Sequence, residues 1–586
     1  MADAIADAVV VGSGPGGGAI AWSLARQGAK VTIVEAGPAY DYTSDYRLDR
    51  PDWEQQLFPD KAHQETGYSF AELQPLEPRW RHLRSWNKVR GAANATDRRI
   101  GWAYHHVRGV GGSTLHYLGE AHRLHPAAMS LRSRFGLGAD WPFGFDVLEP
   151  FCDGSRTRDR RRRSARLGRA PARSLPAPAA CAELCVAADR RGLRQARADA
   201  AGELAGHSLR AVSRPSELQL LCQLHPRLPT RGQGQRRHHI RGAGGRDRPL
   251  QRGDGLAGGV RRAREGRSGG GGPLRRRHGR MADVQGRAYV IACGAVNTPR
   301  LLLASTNGHA PHGLANESGE VGRNFMETLF WTASGLHPQP LGSHRGVPAD
   351  ATCWDFNAPD AIAGVIGGCR FTAGAGQADL VGPIAYATRV VDGWGREHRA
   401  RLRAAFGRAL TISAIGEFLP NDRTFIDLDP ARTDQRGLPY ARIHSFLPEM
   451  ELQRLTFMAE RARAILHAAG VAEIFEEFGS YDIFNSTHVF GTCRMGRDPA
   501  TSVVDADGRS HRWRNLFICD ASVFPSSGGG EAPSSPSPRS ASRPAPPPAA
   551  ICPGALPSRS RRCIMPQPPD RPKFEFELLR QHENAL

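Results

Sequence analysis

The run Ala8-Val-Val-Val-Gly12-Ser-Gly14-Pro-Gly16-Gly17-Gly18 constrains this chain more than any other stretch. A β-branched apolar run ends in glycines, and a helix-forming segment follows from Ala19 to Gln27. Gly12 lets the chain turn off the strand, Gly14 lets backbone approach a pyrophosphate, and Gly17 lets the helix pack against the strand. The helix start aims its unpaired N–H groups and the positive end of its dipole at phosphates. A second strand, Lys30 to Val34, ends at Glu35, where a carboxylate can accept ribose hydroxyls. Strand, glycines, helix, strand and acid follow one another in the order a dinucleotide site needs. An α/β unit of Rossmann-like type is expected, and the glycines do not say which dinucleotide it holds.

The chain has 586 residues, enough for several domains. Its formal charge of +20 suggests a nucleic-acid or anionic-membrane partner. No RRM, KH, helix-turn-helix or zinc pattern supports nucleic-acid binding, and basic residues do not alternate with aromatics as single-strand binding requires. No apolar run is long enough to span a bilayer. Met1-Ala-Asp-Ala-Ile-Ala-Asp7 carries acids where a secretory signal needs bases, so the default expectation is cytoplasmic. Among the 11 cysteines only Cys181 and Cys185 lie close together, and nothing nearby completes a metal site; reduced thiols and no metal are expected.

Further along, Arg108-Gly-Val-Gly111-Gly112-Ser113-Thr114-Leu-His116-Tyr117 forms a tight nest whose hydroxyls and N–H groups can face a ligand. Together with the N-terminal fingerprint it resembles the glucose–methanol–choline (GMC) family of flavin oxidoreductases. Three later regions agree: Ala292-Cys-Gly294-Ala-Val-Asn-Thr298-Pro299 through Ser305; Glu320-Val-Gly-Arg-Asn-Phe-Met326; and Asn485-Ser-Thr-His488-Val-Phe-Gly491-Thr-Cys-Arg-Met-Gly496 with Asn515-Leu-Phe-Ile-Cys-Asp520-Ala521-Ser-Val-Phe-Pro525. The resemblance implies FAD, and a mixed α/β fold in which a Rossmann-like FAD-binding domain carries a second, substrate-binding sheet domain. It implies an FAD domain assembled from 1–152, 284–330 and 481–534, the last also catalytic, with the substrate domain at 331–480. Within 331–480, Thr411 to Glu417, Arg423 to Leu428 and Tyr440 to His444 read as strands. Met450 to Ala469 reads as an amphipathic helix with Gly470 past its end.

Oxidising an alcohol needs a hydride acceptor, a base for the hydroxyl proton, and donors that stabilise the reduced cofactor. His488 matches the family's catalytic histidine, and an imidazole titrates near working pH. The family's second active-site residue, His or Asn, stands before a Pro. Here Ala532 falls there, with Glu531 beside it as the substitute. Asp520, with Ala521, matches the segment that contacts the flavin ribityl chain. His116 has the offset from the double glycine at which several relatives carry the flavin covalently. His105 and His106 need no function. The resemblance to sugar-dehydrogenase large subunits implies an alcohol or sugar substrate and a quinone or cytochrome electron acceptor. It also admits a periplasmic or membrane-associated location through a partner subunit.

Two tracts break the pattern. Residues 153–283 are rich in Arg, Gly, Pro and Ala, with Arg160 to Arg163 and Gly269 to Gly272 as examples, and show no sustained period of 2 or 3.6. Residues 535–586 open with Ser-Pro-Ser-Pro-Arg and continue into a proline run where the family begins an apolar helix. Such composition cannot offset its ordering entropy, so disorder is expected. We read both tracts as out-of-frame translation of GC-rich coding sequence; a basic linker and a natural tail are the plainer alternatives. Three functions follow: an FAD-dependent alcohol or polyol oxidoreductase, a basic nucleic-acid-binding protein, or an inactive GMC-like remnant. Yellow protein, colourless protein held by nucleic acid, and colourless aggregate separate them.

Overall fold

A computed structural model describes residues 5–40, 45, 67–116, 122–149, 284–345, 351–374 and 380–529. Both anomalous tracts lie outside the described residues, which resume at Val284.

The apolar run Ala6–Val11 forms the third strand of a four-stranded parallel sheet. Its neighbours are Val31–Val34 on one side and Gly286–Ile291 on the other, and Leu516–Ile518 pairs with the latter. Segments just over 500 positions apart, Val11 and Leu516, thus share one sheet. Alternation along the first strand divides its burial. Ala8 and Val10 pack with Ile20, Ala21 and Leu24 of the Pro15–Arg26 helix, while Val9 joins the main core with Tyr289 and Ile291. A parallel strand covered on both faces is apolar where it is buried, as Ala8 to Val10 are; Asp7, near its start, accepts from Lys30 N–H at 2.8 Å.

The first helix starts at Pro15, four residues before the expected Ala19. Proline is tolerated in a first turn because its missing N–H has no intrahelical partner there, so Gly16, Gly17 and Gly18 lie inside the helix and Gly14 stands at its N-cap. The other sequence-read elements fall within a few residues of their expected ends: strands Ala409–Gly416, Phe425–Thr433 and Pro439–His444, and helix Glu449–Ala468, with Gly470 at φ +84° just beyond.

The second layer is a seven-stranded antiparallel sheet. Its order is Ala351–Cys353, Cys369–Ala373, Ala409–Gly416, Leu329–Leu336, Glu473–Gly479, Trp86–Asn87 and Gly91–Ala92. The Glu449–Ala468 helix lies across its centre and buries Leu452, Leu455, Met458, Ala459, Ala462 and Leu466. Tyr68–Phe70 adds a parallel strand to Pro439–His444. The segment that carries His488 is held by two short pairings: Ile483–Ser486 runs parallel to Ile100–Tyr104, and Val489–Phe490 runs antiparallel to Met326–Glu327. Among the described residues no helix is long and apolar enough to cross a membrane.

Candidate active site

The glycines of the fingerprint do different work. A Cβ at Gly12, where φ is +95°, would lie 2.4 Å from the Ala292 carbonyl oxygen. At Gly16 it would lie 1.9 Å from the Cys519 oxygen, and at Gly17 2.0 Å from the Gly12 oxygen. These three are held by packing of the sheet, helix and C-terminal strand. Gly14 differs: a Cβ there meets nothing within 4 Å, and its φ of −61° suits any residue. It keeps open the backbone face at the start of a helix that has no side-chain cap and no acid in its first turn. Uncapped N–H groups beside an open face are an anion cradle.

The double glycine closes the other side. A Cβ at Gly112, φ +55°, would lie 3.0 Å from the Cα of Gly14. Ser13 connects the two loops. Its Oγ donates to Glu35 Oε2 at 2.6 Å and accepts from the Gly111 N–H at 3.0 Å, while its own N–H donates to the same Oε2 at 2.9 Å. Gly37 N–H donates to Glu35 Oε1 at 2.9 Å. A carboxylate offers about four acceptor sites, so one on Oε1 is left for a ribose hydroxyl. Ser113 and Thr114 turn their hydroxyls inward on the nest: Ser113 Oγ accepts from Val107 N–H at 3.4 Å, and Thr114 Oγ1 donates to Gly111 O at 2.6 Å. His116 ends the short Gly112–His116 helix, and its side chain lies outside what is described. An open glycine face, an uncapped helix start and a carboxylate with a spare acceptor fit the adenosine diphosphate end of a dinucleotide.

Asp520 is 2% exposed and ties three segments together. Its Oδ2 accepts from Gly294 N–H at 2.9 Å and Thr298 Oγ1 at 2.5 Å, and its Oδ1 accepts from Ser522 N–H at 2.8 Å. It therefore caps the turn containing Ala521, which is itself buried, and anchors the first turn of the Gly294–Ala304 helix. Hydrogen bonds to a charged group contribute about 1.5–3 kcal/mol each, so this carboxylate is a structural fastener whatever else it touches. Burial, with the nearby Asp520 charge, pushes the thiols of Cys293, Cys493 and Cys519 upward, to about 12 for Cys519, and leaves them protonated.

His488 is half-buried on the two-residue link between the short strand pairings. Its carbonyl accepts from Ser486 Oγ at 3.0 Å and Thr328 Oγ1 at 2.9 Å, which fixes the backbone from which the imidazole projects. Beside Thr328, Glu327 forms a fully buried pair with Arg99: one Arg99 nitrogen donates to both carboxylate oxygens, at 2.8 and 2.9 Å. Ser445 Oγ donates to Glu327 Oε1 at 2.6 Å and accepts from Arg99. Removing one partner of such a pair strands a buried charge, so the pair fixes the Met326–Glu327 strand, which pairs with Val489 next to His488. His105 reaches the same segment, with Nε2 2.6 Å from Asn485 Oδ1. His106 stacks on Tyr104, ring centroids 4.8 Å apart, and burial depresses its pKa to about 4, so it is neutral at ordinary pH. Glu531 and Ala532 lie outside the described residues.

Sequence reasoning missed Ser13, Thr298, Arg99 and Glu327. Ser13 carried a signal, a hydroxyl between two fingerprint glycines. Arg99 and Glu327 carried none, since either reads as a solvated charge until its partner, 228 positions away, is placed.

Two family models described as GMC oxidoreductase match residues 257–329 and 420–536, and one described as an NAD(P)-binding Rossmann-like domain matches residues 10–40. The chain is 26% identical over 556 residues to 2-methyl-1,2-propanediol dehydrogenase of Mycolicibacterium austroafricanum, covering 89% of this chain and 91% of that protein. It is 32% identical over 249 residues to paromamine 6'-oxidase of Streptomyces fradiae, 42% of each chain. It is 25% identical to the fructose dehydrogenase large subunit of Gluconobacter japonicus, covering 89% of this chain and 94% of that protein. The dinucleotide cradle at the N-terminus and the GMC matches on both sides of the later sheet strands belong to one chain: it is a member of the GMC oxidoreductase family, with FAD as its cofactor.

Proposed function

We propose that this chain oxidises the CH–OH group of an alcohol, sugar or polyol, with His488 as the base that takes the hydroxyl proton. When bound, FAD supplies the hydride acceptor at flavin N5. Gly12, Gly14, Gly17, Gly111, Gly112 and Glu35, with Ser113 and Thr114, hold its diphosphate and ribose; Asp520 and Ala521 border the ribityl chain. Glu531 takes the place of the missing His or Asn partner. The observation that carries this reading is the fixed backbone at His488, pinned through its carbonyl by Ser486 and Thr328. A general base needs a set position before its pKa matters. The names of the relatives, a diol dehydrogenase, an aminoglycoside oxidase and a fructose dehydrogenase, support the substrate class. The last is named as a large subunit, which supports a partner subunit; a quinone or cytochrome acceptor, and a location set by that partner, belong to the same proposal.

The test is anaerobic mixing of the FAD-loaded protein, with the reading frame of the two anomalous tracts restored, with a panel of diols, sugars and polyols. One of them is expected to bleach the flavin's visible band, with oxygen and an artificial dye then distinguishing oxidase from dehydrogenase. A flavin that dithionite bleaches and no panel member does would sink the reading.

His116 is proposed as a covalent attachment point for the flavin. Acid precipitation is expected to leave the pellet yellow. A white pellet under a yellow supernatant would rule out the bond.

A further inference from the structure

The hairpin of strands Phe425–Thr433 and Pro439–His444 packs on the Gly294–Ala304 helix, where Ile426, Ala441 and Ile443 bury against Ala295 and Val296. The first turn of that helix is the one Asp520 anchors. The tip of the hairpin is built around Asp434, which is buried. Its Oδ1 accepts from the N–H groups of Arg436 at 2.9 Å and Leu438 at 3.0 Å, and Gly437 N–H donates to Asp434 O at 2.9 Å. Its Oδ2 accepts from Arg300 Nη2 at 3.0 Å. Arg300, buried on the helix, also donates to the carbonyls of Leu438 and Pro439. Opening this turn would strand a buried charge, so the tip moves with the helix as one piece.

The side chain of Arg436 stands at that tip and is exposed. Its Nη2 donates to the Ala36 carbonyl at 3.0 Å, across 400 positions of sequence. The Ala36 carbonyl and the Gly37 N–H belong to one planar peptide unit, and that N–H donates to Glu35 Oε1 at 2.9 Å. Arg436 therefore holds one end of the peptide whose other end holds the Glu35 carboxylate. A charged donor on the carbonyl also polarises the unit and strengthens its N–H as a donor. On the opposite side the same stretch rests on the double-glycine loop. A Cβ at Gly37 would lie 2.4 Å from the Arg108 carbonyl carbon, and Val110 N–H donates to Pro38 O at 2.9 Å. The chain just past Glu35 is gripped from two sides, by the nest and by the hairpin.

We propose that Arg436 is a positioning residue for FAD: set by the Asp434 turn, it fixes the Ala36–Gly37 peptide, and through it the Glu35 carboxylate that accepts from the adenosine ribose. This role rests on the Glu35 reading above and not on His488. Losing the Arg436 bond is expected to quicken FAD release by roughly two- to tenfold, the worth of one net hydrogen bond.

The test is the rate of FAD release from the frame-restored protein carrying His116→Ala, so that the flavin is held without a bond to the chain. Release is followed after dilution as the gain in flavin fluorescence. Arg436→Ala is expected to quicken it by that factor, and Arg436→Lys, which keeps a charged donor, to recover part of the loss. The thermal midpoint of the flavin-free protein is expected to stay the same, because the side chain is exposed. In a Glu35→Gln background Arg436→Ala is expected to add little, since two residues acting through one peptide are not additive. Unchanged release in Arg436→Ala overturns the proposal, and so does an equal factor with and without Glu35. Faster release in Glu35→Gln with none in Arg436→Ala would keep the Glu35 reading and remove the clasp. Unchanged release in Glu35→Gln would remove both.

Discussion

A frame-restored version of this chain is expected to hold FAD tightly and to reduce a dye with its alcohol, while the chain as it stands holds little flavin and turns over slowly or not at all. The reason lies in what the sequence supplies after Pro533. The family begins a helix there whose N-terminus faces the flavin N1–O2 edge, where a positive dipole end stabilises the reduced anion. This chain instead runs Ser535-Pro536-Ser537-Pro538. Proline removes amide donors and biases the residue before it away from helix, so the helix is predicted to be lost. The 153–283 tract is likewise predicted to supply none of the strands the family places there. Both tracts lie outside the described residues, and the prediction is made on composition. Independent resequencing that finds an unbroken frame would end the frameshift idea. Equal flavin content and equal alcohol-dependent dye reduction in the two proteins would show that neither tract matters.

His488→Ala in the frame-restored protein is expected to lower turnover by roughly two to four powers of ten, the usual contribution of a positioned base. FAD content is expected to stay near normal. The groups that brace His488, namely Thr328, Ser486 and the Arg99–Glu327 pair, act through its carbonyl or the strands beside it, and survive loss of the imidazole. A variant that loses flavin and activity together would assign His488 to folding instead.

What could be read from the sequence follows distance along the chain. Gly17 was legible because the contact that demands glycine, with the Gly12 oxygen, is local, and Gly12 from the turn off the strand at φ +95°; the approach of Ala292 to Gly12, from 280 positions away, was not. The Ala409–Gly416 and Pro439–His444 strands were legible from alternation. Tyr68–Phe70 and Trp86–Asn87 were not: strands of three and two residues in a stretch rich in aromatics and proline have no period to detect. Asp520 stood out in the sequence through its motif. Its three structural bonds did not, because Gly294 lies 226 positions away. Glu417 and Arg454 show the limit most plainly. In sequence one closes a strand and the other sits in an amphipathic helix as an ordinary charge. Only the packing of that helix across the sheet buries both.

The most direct measurement is the rate of flavin reduction in a single anaerobic turnover, followed against pH in the frame-restored protein and in its His488→Ala variant. A base must be unprotonated to take the hydroxyl proton. The rate is therefore expected to rise with pH through an imidazole titration, ordinarily near 6.5, and then to level. The variant is expected to be slow at every pH and to lack that rise. The same rise in both proteins would place the base elsewhere and contradict the account.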